Sequence, residues 1–365
     1  MSPAEAIITL NMLPKIGPIR VRRLLEAFGD STAILGASKD KLLRVEGIGE
    51  ETASILHKWQ DYADPTSEIN EAKQRGIDII TQDDPGYPAP LRDAYDPPLL
   101  LYVWGKIEDR DRHALGIVGS RRATMYGRQA TKKLSYQLAH AGFTILSGLA
   151  RGIDTAAHEA ALAANGRTIA VIGSGLAKLY PPENLGLAEK IAAGNGAVVS
   201  EFPLHTAPDK QTFPMRNRIV AAWARAVLVV ECPAWSGSLI TANLASDYGK
   251  PVFAVPGPID KPSSAGCNQL IRDGATLVTD ASHILDDLGE LPFARQAALS
   301  EETSANPQLP EEEAKILSAI GDDESTVDRL VDLTGLPAGT VTSTLMKLEM
   351  RRLVRAMPGF RYMKR

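Results

Sequence analysis

ALGIVGSRRATMYGRQATKKLSYQLAHAGFTILSG, residues 114–148, holds an apolar run, an amphipathic run and a second apolar run. ALGIVGS is short and almost continuously apolar, the pattern of a strand covered on both faces. YGRQATKKLSYQLAHAG spaces its apolar residues as a helix does and ends on a glycine suited to a helix C-cap. FTILSG reads as the next strand. Strand, helix, strand is the building unit of a parallel sheet.

The alternation continues to about residue 290. Helix TAAHEAALAANG leads to strand RTIAVIGSG, and helix NLGLAEKIAAGNG to strand AVVSEF. A helix opening in FPMRNRIVA, residues 213–221, precedes strand AVLVVEC. Then come helix SLITANLASDYG, strand PVFAV, helix CNQLIRDGA and the short strand TLVTD. The expected class is α/β, with a Rossmann-like parallel-sheet core. Upstream, strands IDIIT and LLLYVWG around a Pro-rich turn read as an edge extension of that core. Four segments follow from the pattern: a helical domain over 1–65, the extended core over 66–290, a Ser/Glu/Pro linker over 291–310 and a small domain over 311–365.

The N-terminal segment contains two similar turns, LPKIGPIRVRRLLEAFG at 13–29 and VEGIGEETASILHKW at 45–59. Gly17 and Gly49 suit tight helix–turn–helix joints with positive φ and helix-start N–H groups able to meet phosphate. The pattern resembles a helix–hairpin–helix pair, which serves either DNA contact or a purely structural role. The last segment has three helical stretches and a hairpin around Pro358-Gly359, the pattern of a winged helix. Its end carries Arg351, Arg352, Arg355 and Arg361 with no acid among residues 351–365, as a DNA-contacting wing would. Its recognition-like helix is nearly uncharged, which favours a protein contact or a structural cap instead.

The chain has 365 residues, 44% of them hydrophobic, enough for two or three folded domains. The formal net charge is -4, so any nucleic-acid site is a local basic groove rather than a bulk property. Two cysteines, Cys232 and Cys267, fit a reducing compartment and lack zinc-site spacing. No stretch approaches the ~20 apolar residues of a membrane span. A soluble cytoplasmic protein is expected.

The unusual residues gather in loops after the strands, where a parallel sheet binds ligands. In GSRRATMYG, Gly119 allows close approach, Ser120 offers a hydroxyl and Arg121 a planar five-donor fork for phosphate. In SGLARGIDTAAH, Arg151 reaches a ligand or pairs with Asp154, which is also a helix-cap candidate before Thr155; His158 reads as a packed histidine. In GSGLAKLYPPEN, Gly173 and Gly175 form an exposed turn with amide donors, Lys178 supplies charge and Tyr180 a stacking ring. The fourth loop combines Arg216 and Arg218 of FPMRNRIVA with Ser236 and Ser238 of SGSLITANLA. Residues two apart on a helix do not share a face, so the two arginines point differently, one toward ligand and one toward a core carboxylate or a partner copy. P-loop, H-E-x-x-H, C-x-x-C and G-x-S-x-G motifs are absent, and no cofactor, metal or catalytic set is expected.

Taken together, GSR at 119–121, SGLARGID at 147–154, the GxG…YP loop ending at Pro181, SEFP at 200–203, FPMRNRI at 213–219, SGSLITA at 236–242 and VPG at 255–257 resemble the DNA-processing protein A (Smf) family. DDPGYPAPL at 83–91 and the YVWG before residue 106 fit the same family, although LAK stands here where the family pattern has an Asp before YP. The resemblance implies a non-enzymatic, homodimeric protein that binds incoming single-stranded DNA in natural transformation. It implies protection of that strand and help in loading the RecA recombinase past single-stranded-DNA-binding protein. It carries a strand-binding role to Arg121, Lys178, Arg216 and Arg218. The rival reading is a Rossmann-like nucleotide N-glycosidase, with Glu201 or Glu231 as acid or nucleophile and Arg121 on the 5′-phosphate. For pairing of copies, the apolar faces around MRNRIVAAWA or SLITANLASDY are the candidates.

Overall fold

The computed structural model describes residues 1–289, 311–320, 325–350, 354–357 and 361–364. The chain divides into two compact units, Met1–Ala294 and Arg295–Arg365. The expected linker, Arg351 and Arg352 lie outside the described residues.

The first unit is built on a nine-stranded sheet. Its strands are β1 (Ile77–Thr81), β2 (Leu100–Gly105), β3 (Ala114–Val118), β4 (Thr144–Ser147), β5 (Thr168–Val171), β6 (Gly196–Ser200), β7 (Ala226–Val229), β8 (Val252–Ala254) and β9 (Thr276–Leu277). Their order across the sheet is β1-β2-β6-β5-β4-β3-β7-β8-β9. Strands β3 to β9 run parallel, and β1 and β2 add an antiparallel edge. β3 through β7 are buried along their whole length, because helices cover both faces. Two apolar layers result, one around Trp223, Val227 and Val229 and one around Leu115, Leu138 and Ile145. The expected strands are all present, and the sheet is Rossmann-like with an added antiparallel border.

The helix Thr212–Trp223 lies within the core layer, and Ile219 to Trp223 are buried there. The apolar face of MRNRIVAAWA is therefore consumed by this chain's own sheet and is not a surface for a second copy. On Gly237–Asp247, Ile240 remains 42% exposed.

The N-terminal helices have their own core around Leu10, Leu24 and Leu56. They are also tied to the sheet: Ile8 packs in a cluster with Leu100, Tyr102 and Val198, and Asn11 donates to the Glu201 carbonyl at 3.0 Å. Gly17 and Gly49 are N-caps in extended conformation, φ -113° and -89°, of helices Pro18–Phe28 and Glu50–His57. Positive φ is not what these glycines supply. Neither cap receives a side-chain hydrogen bond, so the bare helix-start amides remain. Nearby basic side chains staple the module: Arg20 donates to the Lys15 carbonyl at 2.6 Å, and Lys15 pairs with Glu51 at 2.6 Å.

The second unit has helices Glu311–Ala319, Val327–Thr334 and Ala338–Met350 around Ile316, Leu330 and Leu345. Strands Ser325–Thr326, Val354–Met357 and Arg361–Lys364 form an antiparallel sheet with Arg361–Lys364 in the middle. Thr326 caps the second helix by accepting from Arg329 N, and Gly335 ends it in the left-handed conformation. This is a winged helix. Arg355 and Arg361 are exposed, and the pairing Met357↔Arg361 puts them on one face of the hairpin.

Candidate nucleic-acid interface

Between β3 and β7 the strand order reverses. The chain leaves β3 toward one side of the sheet and β7 toward the other, so a crevice opens beyond their carboxyl ends. The loops after β3, β4 and β7 line it, together with the first turns of Thr212–Trp223 and Gly237–Asp247. Its volume is about 700 Å³.

The loop after β3 is locked from below. Ser120 N donates to the Glu231 carbonyl at 2.7 Å, and Ser120 Oγ accepts from Arg122 N at 3.1 Å. A Cβ on Gly119 would stand 2.6 Å from Ile153 Cγ1, so the loop packs this closely only without a side chain there. Arg121 emerges from this rigid turn with its guanidinium 4.6 Å above the Phe213 ring.

The loop after β4 depends on two glycines. A Cβ on Gly148 would lie 1.9 Å from Arg216 Nη1; Gly152 takes φ +80° with its missing Cβ 2.3 Å from the Ser120 carbonyl. Asp154 does not cap the helix, which starts at Ile153 after Gly152. Its carboxylate turns back to accept from Gly148 N at 3.2 Å and Ala150 N at 3.3 Å. Arg151 is exposed, pairs with Glu183, and lies 5.8 Å from the Tyr180 ring. His158 is buried with Nδ1 2.6 Å from Thr168 Oγ1, and burial pulls its pKa down to about 3. It is a packed neutral histidine.

The loop after β5 departs from expectation. Gly173 and Gly175 are buried rather than exposed. Gly175 N donates to the Thr206 carbonyl at 2.9 Å, and a Cβ there would meet the Pro203 carbonyl at 2.1 Å. Gly175 serves internal packing and has no amide to offer a ligand, whereas Gly173 lines a narrow space with Arg121, Arg151, Phe213 and Arg216. Lys178 is exposed but lines a neighbouring groove, not the crevice.

The two arginines of FPMRNRIVA part company. Arg216 is 5% exposed and lines the crevice floor, donating to the carbonyls of Gly148 and Val171 and to Asn217 Oδ1. Burial pulls its pKa down to about 10, with the adjacent Asp154 opposing the fall. Arg218 faces the other way and is held by Glu201 and by Asp96, whose Oδ2 is 3.3 Å away. Its guanidinium does not line the crevice; in this geometry it belongs to the scaffold, and the strand-contact expectation for it is corrected. Asn217 reaches across to the Gly237 carbonyl at 3.3 Å.

Ser236 caps Gly237–Asp247 by accepting from Ser238 N, and the two hydroxyls are 2.7 Å apart. Both line the crevice, as does buried Thr241; exposed Asn243 does not. Sequence reasoning passed over four lining residues: Arg122, Lys210, Phe213 and Trp235. Trp235 is 84% exposed, and a tryptophan beside the small-residue run SGS was the signal available for it.

The electrostatics are one-sided. Arg121, Arg122, Lys210 and Arg216 line the crevice, and Asp154, already satisfied by two amides, is the one carboxylate among the described lining residues. The carboxylates of the glycosidase reading are occupied elsewhere. Glu231 accepts from Thr124 N at 2.8 Å and Thr124 Oγ1 at 2.7 Å, and Glu201 is buried against Arg218. Neither lines the crevice. The arrangement is suited to anions and flat rings, and no acid–base pair is among the described lining residues.

Comparison with known proteins agrees with this architecture. The family model of DNA recombination-mediator protein A matches residues 78–289, a DprA winged-helix domain matches 300–359, and a SAM-like helix–hairpin–helix tandem matches 7–56. Protein Smf of Synechocystis is 36% identical over 96% of both chains, and Protein Smf of Escherichia coli 40% identical over 93% of both. The X-ray structure of DNA processing protein A from Streptococcus pneumoniae superposes with a TM-score of 0.67 at 32% identity, covering 78% of this chain and 98% of that one. DNA processing protein A of Helicobacter pylori, whose structure is described for its single-stranded DNA binding mode, gives 0.52 at 32% identity over 58% and 96%. By sequence over 93–96% of its length and by fold, the chain belongs to the DNA recombination-mediator protein A (DprA/Smf) family.

Proposed function

We propose that this chain binds single-stranded DNA in the crevice between β3 and β7 and acts as a recombination mediator in natural transformation. In this reading it shields the strand and assists a RecA-type recombinase past single-stranded-DNA-binding protein. Two copies act together, as the family resemblance implies. The observation that carries the reading is the crevice wall: among the described residues it has four cations, two aromatic rings and one satisfied carboxylate. A strand supplies phosphates for the first and unstacked bases for the second. Backbone contacts of this kind read little sequence.

Within that reading Arg121 is the principal strand contact, because it is exposed and already poised over an aromatic ring. Arg216 works from beneath, lending charge to the floor through its buried guanidinium. Ser236 and Ser238 add hydroxyls at a helix N-terminus, where the dipole favours phosphate. Arg355 and Arg361 give the winged helix a second basic surface.

The test is fluorescence anisotropy with labelled oligo-dT at several salt concentrations. Wild type should bind with affinity falling as salt rises. Arg121→Ala should weaken binding roughly tenfold and flatten the log–log salt slope by about 0.7. Absence of strand binding by the wild type at low salt defeats the proposal. Recombinase loading is read separately, as RecA-type filament formation on strands pre-coated with single-stranded-DNA-binding protein.

A further inference from the structure

The crevice does not end at Arg121. Arg121, Phe213 and Arg216 also wall a narrow neck, whose far side is Arg151, Tyr180 and Pro181. Tyr180 in turn walls a second groove of about 720 Å³. Two rings flanked by cations cross the neck: Arg121 lies 4.6 Å from the Phe213 ring, the Phe213 and Tyr180 centroids are 6.1 Å apart, and Arg151 lies 5.8 Å from Tyr180. Glu183, the acid at this point, is paired to Arg151 and its charge is compensated.

The groove beyond is mostly apolar. Trp104, Leu176 and Leu179 line it, Leu185 stands at its mouth 46% exposed, and Lys178 is exposed on its rim. No aspartate or glutamate is among its described lining residues. Its other cation, Arg75, is engaged by Glu71 at 2.9 Å, so Lys178 is the charge that remains for a ligand. An apolar cleft with an uncompensated cation at its lip selects an amphipathic anion. Adjacency to the neck, with which the groove shares Tyr180, selects the same polymer that fills the crevice.

We propose that this groove is a second nucleotide subsite: the strand leaves the crevice over Phe213 and Tyr180, and an unstacked base seats against Trp104 and the leucines while Lys178 meets its phosphate. The proposal rests on the crevice reading and extends it. A strand long enough to cross the neck gains contacts that a short one cannot. A duplex gains none, because its bases stay stacked on one another.

The experiment measures anisotropy of the full chain with labelled oligo-dT from the trinucleotide upward. Leu185→Asp places an acid at the groove mouth at a surface position, and its thermal melt should match the wild type. It should bind the shortest oligomers as wild type does and lose roughly tenfold on longer ones. Lys178→Gln should lower the log–log salt slope for long oligomers by about 0.7. Wild-type affinity of Leu185→Asp at every length, or an equal loss at every length, overturns the groove assignment. Arg121→Ala run on the same series reports the crevice independently, since loss of that reading appears as undiminished binding of the shortest oligomers by this variant.

Discussion

Arg218→Met separates scaffold from site. The Arg218 guanidinium is bound by Glu201, by Asp96 Oδ2 at 3.3 Å and by the Asp96 carbonyl at 2.7 Å. Glu201 is 6% exposed, and its Oε1 has no hydrogen-bond partner among the described residues. Arg218 is thus the main compensation for a buried carboxylate, and its removal should cost about 3–5 kcal/mol. For a unit of this size the melting temperature should fall by roughly 5–8 °C. The pH dependence has a definite sign. Burial raises the Glu201 pKa above 4.5, and Arg218 opposes the rise; without Arg218 it climbs further. A folded-state pKa above the unfolded one means that the folded chain holds the extra proton within that window, so stability falls as pH increases through it. The deficit of Arg218→Met should therefore be smallest near the unfolded-state value and complete above the raised one. Glu201→Gln added to Arg218→Met should recover much of the loss. Urea unfolding at acidic and neutral pH, with oligo-dT anisotropy alongside, measures all of this. A variant that unfolds like wild type yet binds DNA poorly would refute the reasoning and return Arg218 to the strand.

Three further outcomes are expected. Trp235→Ala should cost about 1–3 kcal/mol of strand affinity without changing the melt, and in the wild type tryptophan fluorescence should change on titration with oligo-dT. Gly148→Ala drives a methyl group into Arg216 Nη1 and should destabilise the fold by about 1–3 kcal/mol while abolishing binding, read by urea unfolding and anisotropy. Asp280 is held down to about 2, first by the hydrogen bond from Lys133. A depressed carboxylate stabilises above its unfolded value and loses that contribution as pH falls toward 2, so Lys133→Met should move the Asp280 titration midpoint upward by NMR.

The fold was legible because buried parallel strands write themselves as uninterrupted apolar runs. ALGIV, TILS and AVLV in β3, β4 and β7 needed no partner to be recognised. The site was legible only as a set of loops. Which loop residue faces outward depends on close backbone approaches that a one-dimensional string does not contain. Gly175 looks like an exposed turn until the Pro203 and Leu204 carbonyls are placed over it. Asp154 looks like a helix cap until the left-handed Gly152 turns its carboxylate back on the loop. The divergence of Arg216 and Arg218, by contrast, followed from helical periodicity alone, and only their partners required coordinates. Trp235 in its loop and Phe213 in the first turn of Thr212–Trp223 escaped because isolated apolar residues are read first as packing.

The place of β3 in the sheet also bears on how the chain is made. One flank of β3 is covered by β4 at residues 144–147, but the other waits for β7 at 226–229. β2, at residues 100–105, likewise has no partner on its inner side until β6 is available at 196–200. A ribosome releasing this polypeptide therefore carries a half-sheet with a bare apolar border through about a hundred residues of synthesis, an interval open to misassociation. The strand that seals β3 is the one whose following loop closes the crevice, so the ability to grip DNA arrives only when the nascent sheet is no longer exposed.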